Sequence, residues 1–290
     1  MDEHSLRQAK FELVTIMSIF GTIALVRRYI SLPSSFVADA RSLIGFLFLL
    51  LLVKVKGIRL DKAAVKRNFL VLAASGVSLG VNWVLLFEAY RYTSTAVAIL
   101  CNYVGPVWVI VGSIIFFKES MNCRKFICVC MALVGILLVS GVLEAGLPEG
   151  DNMLGIACGL ASSIFYAVTV LFSKKLKAVG SYEKTIVQLG ASAFVIMPYV
   201  FMTEKLFAMQ FTPLAVLLLL LLGVVHTGVA YALYFHALDR VSLQTFSFFA
   251  YIEPVLTILI SAVILREPLT VSSIIGAVLV LSATLVTEKG

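Results

Sequence analysis

Charged residues are scarce in this chain. Only 13% of its 290 residues are charged, against roughly a quarter in a soluble domain. Hydrophobic residues make up 61% of the sequence, and the mean hydropathy is +1.04. This composition excludes a soluble globular domain and predicts an all-α polytopic membrane protein.

Catalytic and metal-binding motifs are also missing. The sequence has no His-Glu-x-x-His zinc motif, no Walker A phosphate loop and no paired intramembrane aspartates. Three of its five cysteines, Cys123, Cys128 and Cys130, lie together but lack the paired spacing and the neighbouring histidine of a zinc site. We therefore expect reduced packing thiols, no metal, no cofactor and no enzymatic activity.

Ten apolar segments are long enough to cross a bilayer, which takes about 20 apolar residues for ~30 Å of hydrocarbon. Met1–Lys10 mixes acidic and basic residues before a full-length apolar run, so we expect no cleavable signal. The predicted spans, numbered 1 to 10, cover residues 11–30, 36–53, 69–89, 95–117, 124–143, 153–173, 184–202, 213–236, 244–265 and 270–287.

Lysine and arginine are distributed unevenly between the loops. If the N-terminus is inside, the inward segments hold seventeen of these residues and the outward segments five. This bias predicts both termini in the cytoplasm, Lys54–Arg67 facing in and the acidic Gly146–Asp151 facing out. The net charge of +7 is then a property of inner-membrane topology, and we expect the lipid bilayer, not nucleic acid, as its partner.

The sequence contains an internal repeat. Residues 80–120 align without a gap onto residues 228–268. Because five spans per repeat is an odd number, the second repeat enters the membrane from the opposite side, which predicts an inverted repeat with halves at residues 1–145 and 150–290. Such a duplication is typical of a secondary transporter with a site between the repeats. The matched pairs include Gly80/Gly228, Tyr103/Tyr251, Pro106/Pro254 and Glu119/Glu267.

One motif suggests hydrolase chemistry. Gly76–Gly80 reads Gly-Val-Ser-Leu-Gly, as at the nucleophile of a serine hydrolase, which requires a strand-to-helix turn. Here the motif lies within an apolar span. Small residues four apart also let helices approach closely, and Gly155 and Gly159 repeat that spacing. We expect packing and assign Ser78 no catalytic role.

Two prolines and two charges lie inside the spans. Pro106 and Pro254 each remove a helical hydrogen bond, so we expect kinks that line or gate a cavity, or that only shape the helix. Glu253 is an acid at mid-depth, where an ionisable group is functional by default. It could bind a cationic group, carry a coupling proton or join two helices by a hydrogen bond. For Arg41 we expect a structural role, either reaching the outer surface or pairing with Asp39.

Aromatic and amide side chains recur at mid-depth in several spans. Rings with polar tips suit small amphipathic solutes, because they offer apolar contact together with a few hydrogen bonds, although each residue could equally serve ordinary packing. The candidate substrate-binding set is Phe20, Asn82, Trp83, Asn102, Tyr103, Trp108, Tyr166, His226, Tyr231, Tyr251 and Glu253.

Four short motifs carry a family resemblance. They are Tyr-Ile-Glu-Pro-Val at Tyr251–Val255, Arg-Glu-Pro-Leu at Arg266–Leu269, Tyr-Val-Gly-Pro at Tyr103–Pro106, and Lys118-Glu119. In this order and spacing, the chain resembles the drug/metabolite transporter superfamily, EamA type, over nearly its whole length. The resemblance implies ten helices in an inverted five-plus-five repeat and a cavity lined by spans 1, 3, 4, 6, 8 and 9.

The resemblance further implies export of amino acids or other small metabolites by alternating access. Tyr166 departs from the family, which often has Trp in span 6, so a preference for aromatic solutes is not implied. Import or exchange of a nucleoside- or sugar-like solute is an alternative, as is, more remotely, a non-transporting intramembrane enzyme or assembly factor. The oligomeric state is not predicted.

Overall fold

The computed structural model describes residues 3–93, 95–139, 152–176, 178–266 and 270–288. Within these ranges the chain is helical and has no strand, which confirms the all-α prediction. Eight helices of the described residues are long and apolar enough to cross a membrane, and Val271–Val286 is a shorter apolar helix. The predicted outward loop Gly146–Asp151 and the repeat residue Glu267 lie outside the described residues.

The described residues of the first half form eight helices. One of them, α4, was not predicted; the side chain of Asp61 caps it by accepting a hydrogen bond from the backbone N–H of Ala64 at 2.9 Å. The helices are α1 (Glu3–Gly21) and α2 (Ile23–Arg28) in span 1, α3 (Ser34–Val55) in span 2, α4 (Lys62–Arg67), α5 (Phe69–Tyr92) in span 3, α6 (Thr95–Asn102) and α7 (Gly105–Phe117) in span 4, and α8 (Cys123–Val139) in span 5.

The described residues of the second half form seven α-helices, a π-helical segment and a short 3-10 helix, Leu206–Ala208. The π-helical segment, Val224–Val229, was not predicted and interrupts span 8. The helices are α9 (Asn152–Lys175) in span 6, α10 (Ser181–Thr203) in span 7, α11 (Pro213–Gly223) and α12 (Ala230–Arg240) in span 8, α13 (Leu243–Ala250) and α14 (Ile252–Leu265) in span 9, and α15 (Val271–Glu288) in span 10.

Spans 4 and 9 are each broken into two helices. The first helix of each pair ends four residues before a proline, at Asn102 before Pro106 and at Ala250 before Pro254. Proline has no N–H, so the carbonyl four residues earlier loses its helical partner and the helix ends there. Equivalent positions of the two repeats are thus broken for the same reason.

The ends of spans 4 and 9 are equivalent as well. Lys118 and Arg266, 148 positions apart, are the two described non-glycine residues with positive φ, at 56° and 54°. The turn at Lys118 places the carboxylate of Glu119 against the start of α13, where it accepts hydrogen bonds from the backbone N–H groups of Leu243 (2.9 Å) and Gln244 (3.2 Å). A carboxylate at this position stabilises the positive end of the helix dipole.

The two halves of the chain interlock through their helices. The helix α5 packs against α9 and α10, α3 packs against α10, α8 against α15, and α1 against α12 and α14. Each of these contacts joins the first half to the second. The central part of the bundle is therefore built from both halves, as a site between repeats requires.

Glycines in α5 allow α10 to approach closely. A Cβ atom on Gly76 would lie 2.6 Å from the carbonyl oxygen of Gln188, and one on Gly80 would lie 2.9 Å from that of Ser192. The hydroxyl of Ser78, between them, donates a 2.8 Å hydrogen bond to the carbonyl of Ala74 in its own helix. The predicted packing role of the Gly76–Gly80 motif is confirmed.

Replacing Gly76 by Ala is expected to lower the free energy of unfolding by about 2 kcal/mol, because the added methyl group meets backbone that cannot turn aside. Thermal unfolding of the purified protein in detergent measures this loss. Ser78→Ala, two positions away, is the control and should leave both stability and transport near the wild-type values. An equally stable Gly76→Ala variant would contradict the close approach of α5 and α10.

Candidate functional site

Aromatic rings from four spans meet in the centre of the bundle. The ring centroid of Tyr231 lies 5.4 Å from Phe20, 6.1 Å from Trp83 and 5.6 Å from Tyr234. The hydroxyl of Tyr234 donates a 3.2 Å hydrogen bond to that of Tyr166. The structure thus brings together four residues of the predicted set, and it adds Tyr234, which follows Tyr231 by one helical turn.

Arg41 faces this aromatic group. Its guanidinium carbon lies 4.1 Å from the ring centroid of Trp83, an arrangement in which the cation is attracted to the face of the indole ring. The prediction that Arg41 reaches the outer surface or pairs with Asp39 is therefore wrong. The sequence carried an indication of this position, because a cation inside an apolar span usually faces the interior of the bundle and serves a function.

Glu253 is the second charge in the centre. Its carboxylate interacts electrostatically with Arg41, but the two groups form no ion pair within 4.0 Å, and no residue in the described ranges donates a hydrogen bond to the carboxylate. Arg41 Nε is likewise buried without a described partner. Two opposite charges therefore share one site without neutralising each other directly.

The charged and aromatic side chains lie near one another inside the bundle. Arg41, Tyr103, Tyr166, Tyr231 and Glu253 are all partly buried, and Arg41 and Glu253 each interact electrostatically with Tyr231. We infer that the remaining exposure of these side chains is to an internal, solvent-accessible space. Such a space, walled by aromatic rings and two charges, has the chemistry of a site for a small organic ion.

The two predicted amides form a bridge at the wall of this space. Asn82 in α5 donates to the side-chain oxygen of Asn102 (3.1 Å) and to the carbonyl of Ser162 in α9 (2.7 Å), and the hydroxyl of Ser162 donates to the same Asn102 oxygen (3.0 Å). Asn102 is the last residue of α6, at the break in span 4. Asn82 therefore positions the broken end of α6.

His226 has structural partners. One ring nitrogen lies 2.8 Å from the hydroxyl of Thr22, the residue between α1 and α2, and the other lies 3.3 Å from the carbonyl of Leu221. The ring thus joins the break in span 1 to the π-helical segment of span 8. Beside it α3 packs closely, since a Cβ atom on Gly45 would lie 3.1 Å from the backbone nitrogen of Gly228. This packing carries Arg41 towards the centre.

Two predicted site residues lie apart from the aromatic group. Trp108 donates a 3.1 Å hydrogen bond to the hydroxyl of Ser163, and 40% of its surface is exposed. Tyr251 is fully buried in a separate apolar cluster with Ile110 and Val255, and its hydroxyl has no partner among the residues that the structure describes. Tyr103, its repeat equivalent, is partly buried against the same cluster and interacts electrostatically with Glu253.

A polar network joins helices on the side of the bundle on which the N-terminus lies. Lys184, fully buried, donates to both carboxylate oxygens of Asp239 at 2.7 and 2.6 Å. Lys174 donates to the carbonyls of Leu238 and Val241. These bonds tie α9 and α10 to the turn between α12 and α13. Lys184 was counted among the predicted inward loop charges, but it is a buried ion-pair partner.

Removing either proline is expected to restore a continuous helix and slow transport, because the broken spans 4 and 9 flank the site and a straight helix bends less readily. Pro106→Ala and Pro254→Ala should insert normally yet reduce the maximal flux about tenfold in proteoliposomes. Pro198→Ala is the matched control, since Pro198 lies within the unbroken α10. Wild-type flux in both variants would show that the breaks serve folding alone.

Comparison with known proteins identifies this architecture. A family model described as the EamA-like transporter family matches residues 11–141 and 153–288. A crystal structure described only as that of a protein superposes with a TM-score of 0.86 at 17% identity, covering 99% of this chain and 98% of the other. At that identity the likeness shows the fold alone.

Several curated relatives are similar over most of their length. An uncharacterised transporter of Bacillus subtilis (strain 168), YxxF, is 26% identical over 97% of this chain and 91% of its own. An uncharacterised transporter of Archaeoglobus fulgidus is 25% identical over 97% and 96%, and protein PecM of Dickeya dadantii (strain 3937) is 26% identical over 73% and 71%. The family match covers both halves, and this multi-pass membrane protein, a transporter and not an enzyme, belongs to the EamA-like transporter family.

Proposed function

We propose that this protein is a secondary transporter that exports amino acids or related small zwitterionic metabolites across the cytoplasmic membrane by alternating access. The observation that carries the proposal is a pair of opposite charges without an ion pair between them, Arg41 over the ring of Trp83 and Glu253, which interacts electrostatically with Arg41. A zwitterion brings a carboxylate for the guanidinium and an ammonium for the carboxylate. The aromatic rings then contact its apolar part.

The energetic case is that charges in an apolar interior need a counter-charge. An unpaired buried charge costs several kcal/mol, and one zwitterion relieves both Arg41 and Glu253 at once. An uncharged sugar or nucleoside would leave both charges unpaired, so those alternatives fit the site less well. In the empty site a proton on Glu253 would neutralise the carboxylate, while Arg41 keeps its contact with Trp83. This gives a coupling proton a defined place.

Alternating access requires that the two sides open in turn. Contacts such as Lys184–Asp239 and Glu119 with the start of α13 close the N-terminal side, and the breaks in spans 4 and 9 provide places to bend. Loading from the cytoplasm would require these contacts to open. Because the cycle is reversible, the solute gradient and any coupled proton set the direction of net flux.

Flux from proteoliposomes tests the proposal. Vesicles loaded with a mixture of amino acids, organic acids, amines, sugars and nucleosides are sampled by mass spectrometry, with and without a pH gradient. We expect one amino acid or a few to leave, and a pH gradient to change the rate if a proton is coupled. Efflux of sugars or nucleosides alone would favour those solutes as substrates. If no solute leaves the vesicles, a transport function for these solute classes is contradicted.

The orientation in the cytoplasmic membrane is testable by labelling. Single cysteines at Lys56, after α3, and at Lys205, after α10, replace exposed residues that the predicted topology places on opposite sides of the membrane. With the native cysteines removed, an impermeant maleimide should label Lys205→Cys in intact cells and Lys56→Cys only after lysis. The reverse pattern would place both termini outside.

A further inference from the structure

A second cavity lies away from the central site, between α4 and the beginning of α10. Its volume is about 510 Å³, and its walls include the apolar side chains of Val65, Phe69 and Ile186. Phe69 is 53% exposed, so the cavity opens at the surface of the bundle. A cavity of this kind accepts an apolar chain.

Two cations stand at the edge of this cavity. Lys62 and Lys66 line it, and because they are four residues apart they share one face of α4. The opposite face of α4 is anchored, since Ala64 is buried against Leu72 and Val179. Both lysines are exposed, and their ammonium groups are available to an anion.

The one acid that lines the cavity is already engaged. Glu183 accepts a 3.0 Å hydrogen bond from the backbone N–H of Asp61, and Asp61 in turn caps α4. The surrounding segment Lys54–Arg67 contains six lysines and arginines, with Asp61 as its single acid. The charge around the cavity is therefore strongly positive.

We propose that this cavity binds an anionic phospholipid from the leaflet on the N-terminal side of the membrane. The acyl chain would occupy the apolar cavity and the phosphate would lie between Lys62 and Lys66. Basic pockets beside membrane helices hold anionic headgroups through this combination of charge and apolar contact. The lipid would tie α4 to α10, the helix that carries Lys184, and so support the closed side of the bundle.

Native mass spectrometry with added lipid tests the site. The delipidated protein is titrated with phosphatidylglycerol or with phosphatidylcholine of identical chains, and thermal unfolding is followed in parallel. We expect the protein to bind one phosphatidylglycerol molecule tightly and to unfold at a higher temperature with this lipid than with phosphatidylcholine. The variant Lys62→Gln/Lys66→Gln should weaken phosphatidylglycerol binding about thirty-fold, since each lysine near a headgroup raises the affinity by a factor of about five.

Matched variants separate the cavity from the general surface charge. Lys54→Gln/Lys56→Gln removes the same charge from the same segment outside the cavity and should change binding less than threefold. Val187→Phe should fill the cavity and weaken phosphatidylglycerol binding without any change in charge. Equal binding of phosphatidylcholine, equal loss in the two lysine variants, or stabilisation by inorganic phosphate alone would each overturn the proposal.

Discussion

Arg41→Gln and Glu253→Gln are each expected to weaken binding of the transported zwitterion about 100-fold. Glu253→Gln keeps the size and much of the hydrogen bonding of the native side chain, and Arg41→Gln leaves a shorter side chain that still donates hydrogen bonds; each variant removes one charge. The lost interaction is a charge pair away from bulk water, worth about 3 kcal/mol or two decades in the dissociation constant. Binding and initial flux in proteoliposomes measure the loss.

Analogues of the transported amino acid that lack one charge identify which charged group of the solute binds Arg41 and which binds Glu253. The methyl ester lacks the carboxylate, so Arg41→Gln should bind it as well as wild type does. The N-acetyl derivative lacks the ammonium, so Glu253→Gln should bind it as well as wild type does. A wild type that binds parent and analogues equally would contradict a zwitterion site while leaving the transport function standing.

Matched controls come from a surface pair in α5. Glu88→Gln and Arg91→Gln remove the same charges from an exposed ion pair outside the site and should leave affinity unchanged. Proton coupling at Glu253 further predicts that Glu253→Gln loses the response of flux to a pH gradient. Unaltered affinity, rate and pH response in Glu253→Gln would assign this acid to structure.

Asp239→Asn is expected to cause the largest loss of stability, about 3 kcal/mol. Lys184 is fully buried and its ammonium bonds to both oxygens of Asp239. Removing the partner leaves a buried cation uncompensated, which is far less favourable than removing the whole pair. Chemical unfolding in detergent measures the difference.

The double variant Lys184→Met/Asp239→Asn provides the control. Without the buried cation, the double variant should regain most of the stability that Asp239→Asn loses. Its transport then reports the role of the ion pair in keeping the N-terminal side closed. A stable Asp239→Asn single variant would show that water reaches Lys184 and that the pair contributes little.

The fold class could be predicted from sequence because the membrane imposes it. A chain in hydrocarbon must satisfy its backbone hydrogen bonds within each segment, so apolar stretches of sufficient length become helices whatever their neighbours. The missing N–H of proline also made Pro106 and Pro254 candidate sites of helix distortion, which the sequence alone could indicate. The close approach of α10 at Gly76 could also be predicted from the sequence, because glycine has no side chain and leaves room for a neighbouring helix.

Other features depended on contacts between distant segments. Pro198 lies inside an unbroken helix while Pro106 and Pro254 do not, and nothing local to each proline distinguishes them. The π-helical segment and the short α4 also escaped prediction. Their geometry is stabilised from outside, by the bond between His226 and Thr22 and by the packing of Ala64.

The membership of the site was decided by tertiary structure. Tyr103 and Tyr251 occupy equivalent positions in the repeat and meet the same apolar cluster, yet Tyr251 is fully buried within it and Tyr103 is only partly buried at its edge. Arg41 faces Trp83, and Lys184 is a buried partner of Asp239. Hydropathy determines how a residue partitions between water and lipid, but the direction of a side chain within the bundle depends on which helices pack beside it.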